Sequence, residues 1–542
     1  MISDEILEQI KADSIKEFEL LSKVYRPSFY TRQIADYLKK RAQELKPGIE
    51  VYEDEYRANL IDDVYNASTS SGNIWFDIPA NDPNLANNAP IILQAHMDMV
   101  VASANKAADE AIKQNGVVFE NHSNGTLTSL NKQTSLGADD GIGLGLMYAI
   151  LKNDNFKHGP IRFLITADEE VGMCGASYLG LTKTGEKGMP VVGYNYLINL
   201  DNPYDGEIIV STAGAVVSLY TLQKNPETAP LPHDVNIYTM DVSGLLGGHD
   251  GIEIHHHASA ARLAAETLKD IALASEFQLI EFITPDCDFH NVIQTHAIVT
   301  FATKLSLNQV QQAAGLHEGM CKNQFPDETN VKIRVENAKI PSGAEIKPIS
   351  HQDSANIIRL MNTLPYGPTS WRNQSTGWVE TSGNLGPVYL TIDKHESPDG
   401  KPVWDCPSFA MRSHIRSCNN DHLLKAVEDN KALAKECLGS DDLDFYQLKN
   451  ILYGWPGDSN TALLDMAKDA YESKGVKWAT LNVHGGLEVS WFKHFNPNLT
   501  MVSIGPEIHN VHDCSETLYI ETLDGFINVV LSCIDGMKSV GK

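Results

Sequence analysis

The chain is short of positive charge: 43 Lys and Arg stand against 70 Asp and Glu, a formal net charge of −27. Phosphate backbones are held by a basic footprint, so nucleic acid is excluded as a partner. Long apolar runs are absent too, and none approaches the span of a bilayer. The first nineteen residues read as an acidic amphipathic helix without the basic and apolar regions of a signal peptide. The eight cysteines are scattered, with no CxxC pair and no framework spacing, as expected of reduced thiols rather than staples. No export signal accompanies the sequon Asn66-Ala-Ser68. The expectation is a cytoplasmic protein that binds neither membrane nor nucleic acid.

What is present is an ordinary globular composition, 42% apolar, in 542 residues. That length exceeds one hydrophobic core and calls for at least two domains. Residues 1–210 alternate helices and strands, the pattern of an α/β layer with a mostly parallel sheet. Strands are expected at 72–78, 89–95, 161–166 and 196–200, with a helix over 141–151 and a polar, Asn-rich surface excursion at 102–132. From 211 to 455 the texture changes to two strand–helix–strand units, with helices at 258–273 and 422–437. This stretch reads as an inserted α+β domain. Residues 456–542 resume the earlier style and return to the first domain.

Four acidic or histidine clusters fall at or just after strand ends. They are His96-Met-Asp98, Gly137-Ala-Asp-Asp-Gly141, Asp168-Glu-Glu170 and Asp201. Ligands of open α/β sheets gather outside the carboxyl ends of the strands. His96 and Asp98 face the same way on an extended segment, so Asp98 can take the second ring N–H while the other nitrogen binds a metal. A strand-end histidine beside an acid is the plainer alternative for this pair alone. Asp139 precedes a helix, where its charge is stabilised, and Asp140 suits a helix cap. Three acids in succession after a buried strand are costly unless cations neutralise them. One of Glu169 and Glu170 can ligate while its neighbour stays free as a base. A two-metal site, with ions roughly 3.5–4 Å apart, wants a further histidine. The segment 505–513 offers His509 and His512.

In order, spacing and flanking residues these clusters resemble the M20 metallopeptidases, and within them the aminoacyl-histidine (Xaa-His) dipeptidases. The likeness is carried by Gln94-Ala-His-Met-Asp98, Leu136-Gly-Ala-Asp-Asp-Gly-Ile-Gly143, Asp168-Glu-Glu-Val-Gly-Met173 and Leu197-Ile-Asn-Leu-Asp201. Gly247-Gly-His-Asp-Gly251, His484-Gly-Gly-Leu-Glu488 and Met501-Val-Ser-Ile-Gly-Pro506 extend it. The resemblance implies two divalent ions, zinc first with cobalt or manganese as alternatives. His96, Asp139 and Asp201 would hold one, Asp139, Glu170 and His512 the other, with Asp139 bridging. It makes Glu169 the general base and Asp98 the carboxylate behind His96. The inserted domain would be a lid, with His249 for the oxyanion, Asn291 and Arg412 for the peptide's polar ends and Gly486 at its backbone. The implied substrate is a dipeptide of the carnosine-like Xaa-His kind, and a homodimer is a candidate assembly. Sibling activities on the same site are a tripeptidase or an N-acyl amino acid hydrolase; an inactive binding protein would lack Glu169 or a ligand. The sequence departs from the pattern at Val511-His-Asp-Cys-Ser515, where His-Ser-Pro is usual, and in the loops near 102–132 and 373–405.

Overall fold

The structure, a computed structural model, describes residues 2–56, 69–179, 189–222, 228–229, 231–232, 234–398, 400–438, 443–447, 451–457 and 460–540. The chain divides into two units. The first comprises Met1–Thr212, Gly457–Asn482 and Leu487–Lys542, and the second Ala213–Pro456 with Val483–Gly486.

The first unit is built on an eight-stranded sheet. Its order is Tyr52–Glu53, Ile74–Ile78, Ile161–Thr166, Ile91–His96, Tyr196–Asn199, Thr500–Ser503, Glu207–Thr212 and Ala479–Val483. The four central strands, from Ile161–Thr166 to Thr500–Ser503, run parallel, and Ile74–Ile78 and Glu207–Thr212 join them antiparallel. Ile91–His96 and Ile161–Thr166 are buried along their whole length, which is why both read as continuous apolar runs rather than alternating ones. The fold is therefore α/β, as the alternation of elements implies, and its parallel core aims four carboxyl ends the same way.

The helix Ala138–Lys152 packs closely on the N-terminal helix Asp4–Leu21. Its glycines allow the approach: a Cβ on Gly145 would lie 2.4 Å from the Ser14 carbonyl, and one on Gly141 2.6 Å from the Phe18 ring. The segment 102–132 is more than a surface excursion. It forms the helix Lys106–Asn115 and the strands Phe119–Asn121 and Thr126–Ser129, the latter buried. These strands share a four-stranded sheet with Ile508–His509 and Thr517–Tyr519. Its polar composition hid the pairing, since a strand of Thr, Leu and Ser has little apolar signal.

The second unit holds a ten-stranded, largely antiparallel sheet in which both strand–helix–strand stretches take part. The long strands Trp378–Glu396 and Pro402–Ser417 form its centre. The helices Leu307–Gln324, Ala260–Ala274, His351–Thr363 and Asn420–Leu438 pack side by side in that order. No described helix is long and apolar enough to cross a membrane. Cys174, Cys287, Cys321, Cys437, Cys514 and Cys533 are free thiols.

Candidate metal centre and active site

His96 ends a buried strand, and its side chain is 1% exposed. Its Nδ1 lies 3.1 Å from the backbone carbonyl of Asp98 and 3.7 Å from the Asp98 carboxylate. The ring N–H therefore goes to the carbonyl, not to the carboxylate expected from the spacing. The Asp98 carboxylate instead accepts from the Ser28 hydroxyl at 2.8 Å and from the backbone N–H groups of Glu169 and Glu170 at 3.0 and 3.3 Å. It fixes the turn that carries the two glutamates. Arg26, fully buried, donates to the carbonyls of Met97, Asp98 and Gly137 and so ties this strand end to the loop before Asp139.

That loop is held by Glu516. Its carboxylate accepts the N–H groups of Leu136, Gly137 and Ala138 at 2.8 Å each and that of Asp139 at 3.4 Å. Burial pushes the Glu516 carboxyl up to about 7 against the pull of those donors. A side chain from far along the chain thus satisfies amides that a local cap would otherwise serve. Asp140 does not cap: the helix start has no side-chain cap, and Asp140 accepts instead from the His96 backbone N–H at 3.3 Å.

Held in this way, Asp139 presents one oxygen to each of two histidines. Oδ1 lies 3.0 Å from His96 Nε2, and Oδ2 lies 3.2 Å from His512 Nε2. Asp201 Oδ1 is 3.9 Å from His96 Nε2, and Glu170 Oε2 is 2.9 Å from His512 Nε2. His509 takes no part: its ring turns to Glu507 at 2.5 Å and packs on Tyr519. Asp168 also points away from the cluster, accepting from the Phe29 N–H and the Tyr56 hydroxyl.

The electrostatics follow from the crowding of acids. Burial would depress His96, but Asp139, Asp98 and Asp201 hold its pKa well above the ordinary value. Hydrogen bonds to Asp139 and Glu170 raise His512 to about 10. Burial opposes ionisation of Asp139, yet the two histidines pull it well below the usual carboxylate range. Glu169 is raised well above that range, by burial first and by the neighbouring Glu170, Glu488 and Asp98 charges despite His96. Asp201 rises for the same kind of reason.

Two sets of groups bring ligand atoms within 4.8 Å of one another: His96, Glu169 and Asp201, and His96, Asp139 and Glu170. One oxygen of Glu170, Oε1, is buried without a hydrogen-bond partner. Buried polar atoms are ordinarily satisfied, so an unpartnered carboxylate oxygen among imidazoles and acids fits a cation ligand. The donor set is N and O throughout, which suits zinc, cobalt or manganese.

Comparison with known proteins agrees with this geometry. Residues 92–535 match the model of peptidase family M20/M25/M40. The chain belongs to that family. The cytosol non-specific dipeptidase of Escherichia coli K12 is 28% identical over 510 residues, 93% of each chain. The aminoacylhistidine dipeptidase of Vibrio alginolyticus, a solved structure, superimposes with a TM-score of 0.80 at 25% identity, over 98% of this chain and 97% of the other. A Bacillus cereus aminopeptidase, 18% identical with a TM-score of 0.54 over 97% of this chain and 99% of its own, shares the fold.

As an M20 peptidase the chain is a hydrolase, and seven of the residues singled out in its sequence meet in the first unit: His96, Asp98, Asp139, Glu169, Glu170, Asp201 and His512. The other four belong to the second unit. His249 caps the short helix Asp250–Glu253, with Nδ1 accepting the Gly251 N–H at 3.1 Å. The Asn291 carbonyl accepts the Asp250 N–H at 2.9 Å. Arg412 donates to the Asp288 carbonyl at 3.0 Å. Gly486 follows Gly485, whose carbonyl accepts the Ala213 N–H.

Sequence reasoning missed Arg26, Glu516 and Glu488. Glu488 is buried, accepts from Gln94 at 2.6 Å and Thr166 at 2.7 Å, and is raised to about 7 by burial. Its place in His484-Gly-Gly-Leu-Glu488 was the one signal available. Arg26 and Glu516 stand alone in sequence and carry none.

Proposed function

We propose that this M20 peptidase is a di-zinc dipeptidase of the cytoplasm that cleaves Xaa-His dipeptides, with cobalt or manganese as alternative metals. The observation that carries the reading is Asp139, whose two oxygens face His96 and His512 at 3.0 and 3.2 Å beside two glutamates. In this reading His96, Asp139 and Asp201 would hold one ion, and Asp139, Glu170 and His512 would hold the other. When bound, the ions would polarise the scissile carbonyl and lower the pKa of a water.

The chain's own residues do the rest. Asp98 holds the backbone of Glu169 and Glu170, which separates a free carboxylate from a ligating one at adjacent positions. Glu169 takes the proton of the attacking water and returns it to the leaving amine nitrogen. His249 of the second unit donates to the oxyanion, a contact made in the transition state. Asn291 and Arg412 take the polar ends of the peptide, and Gly486 leaves room for its backbone. The second unit would act as the lid that brings these groups to the substrate.

The likeness to an aminoacylhistidine dipeptidase over nearly the whole chain supports the dipeptide class. The test is an assay of purified, zinc- or cobalt-loaded protein against dipeptides including carnosine, tripeptides and N-acyl amino acids. Cleavage of Xaa-His dipeptides, abolished by chelation and restored by metal, is the expected result. Turnover of tripeptides or N-acyl amino acids alone would overturn the substrate assignment.

A further inference from the structure

The second unit contains a buried polar cluster that the reading above uses at one residue only. Asp250 accepts from Arg416 Nε at 2.8 Å and from His414 Nδ1 at 2.7 Å, and all three side chains are nearly inaccessible. His290 stands edge-on to the His414 ring, 5.0 Å between centroids. Arg416 then reaches past Asp250 to His249, with Nη2 3.3 Å from Nε2.

The protons on that last contact do not match. His249 Nδ1 accepts the Gly251 N–H, so in the neutral ring the hydrogen sits on Nε2. Burial and then Arg416 lower the His249 pKa, so the ring is neutral at physiological pH. A guanidinium has donors and no acceptor. Nε2–H and Nη2–H therefore converge without an acceptor of their own. Gly251 permits the arrangement, because a Cβ there would lie 2.9 Å from the His249 ring and 2.7 Å from the His484 carbonyl. Donors held together by a buried carboxylate form a preorganised site for negative oxygen.

We propose that Arg416 and His249 act as one anion-binding pair that takes an anionic oxygen of the peptide. The oxygen is either the oxyanion formed at the scissile carbonyl or the terminal carboxylate. Asp250 neutralises Arg416 through Nε alone and leaves Nη2 directed at the ligand, while His414 occupies the other Asp250 oxygen and fixes its orientation. The proposal rests on the role given to His249 and adds the cation that a neutral imidazole lacks. Arg416 is thereby a substrate-binding residue distinct from Arg412, which sits on the carbonyl of Asp288.

The test uses two variants of the full, metal-loaded chain. Arg416→Lys keeps a charge opposite Asp250 but withdraws the nitrogen that reaches His249. The double variant Asp250→Asn with Arg416→Gln replaces the ion pair by neutral amides, so that no buried charge is orphaned. Each is assayed with an Xaa-His dipeptide and with its C-terminal amide, alongside metal content and melting temperature. Both should keep metal and fold and lose on the order of 10²-fold in kcat/KM. A fall in kcat equal for acid and amide assigns the pair to the oxyanion, and a rise in KM for the acid alone assigns it to the carboxylate. Wild-type kcat and KM in both variants would reduce Arg416 to a structural partner of Asp250 and overturn the proposal. If the unmodified protein cleaves no peptide, the function proposed above fails, and the pair is judged by calorimetry with inorganic phosphate. Binding heat lost in both variants then upholds it, and equal heats refute it.

Discussion

Replacing Glu516 by Gln tests whether the site is held from a distance. One carboxylate oxygen serves Leu136 and Gly137, the other Ala138 and Asp139. A glutamine offers one oxygen, so its NH2 must face two N–H groups in a place where the side chain is 1% exposed. Two buried donors left without an acceptor cost about 1–3 kcal/mol each, so the loss is about 2–6 kcal/mol. The same change frees the backbone of Asp139, which stands between His96 and His512. Metal affinity should then fall roughly 10- to 100-fold, the scale for loss of a group that orients a ligand. Denaturant titration of the metal-free protein reads the first quantity, and zinc competition against a chelator reads the second. An unfolding midpoint and a zinc affinity both equal to wild type would show that the loop holds its shape without Glu516.

Three further outcomes follow from the same geometry. Glu169→Ala should keep both metals and lose nearly all turnover, whereas Glu170→Ala should lose affinity for one ion; elemental analysis with steady-state kinetics separates them. Gly505→Ala would place a Cβ 1.8 Å from the Asn202 carbonyl, and the forced shift should cost about 1–3 kcal/mol of stability and lower metal content, since the loop leads to His512. The Glu53 carboxyl, pushed up by burial but held down by Arg32 and Lys39, sits at about 2 against an ordinary 4.5. A depressed pKa stabilises the fold above pH 4.5 and the benefit is lost as pH falls through about 2. Glu53→Gln should therefore be less stable at neutral pH by on the order of 1–2 kcal/mol after solvent screening, with the gap closing in acid. A gap that does not change with pH would refute that assignment.

The parts of the molecule that could be read from sequence are those whose information is local. Ile161–Thr166 and Ile91–His96 announce themselves as apolar runs, and the acids that follow stand out because burial of several carboxylates needs a reason. Between His509 and His512 the residues alone left the choice open and the family resemblance implied His512; the structure turns His509 to Glu507. What escaped was non-local. Glu516 meets Leu136 across 380 positions, and Arg26 meets Gly137 across 111. The spacing of His96 and Asp98 predicted a shared direction but not that the carbonyl, 0.6 Å nearer than the carboxylate, would take the proton. The strand Thr126–Ser129 carries little apolar signal, and only one of its two partners is its chain neighbour Phe119–Asn121; the other lies near residue 518, beyond any window of periodicity.

The strand Thr500–Ser503 lies between Tyr196–Asn199 and Glu207–Thr212, two strands that follow one another in the chain. During synthesis those two strands leave the ribosome nearly three hundred residues before the one that joins them. A nascent chain that has completed its second unit still carries a divided sheet with two unpaired edges, the condition that invites pairing with other chains. Its cluster of acids likewise waits for His512. Closure of the sheet and arrival of the last histidine come from the same short stretch of chain, so a chain cut before residue 500 lacks both.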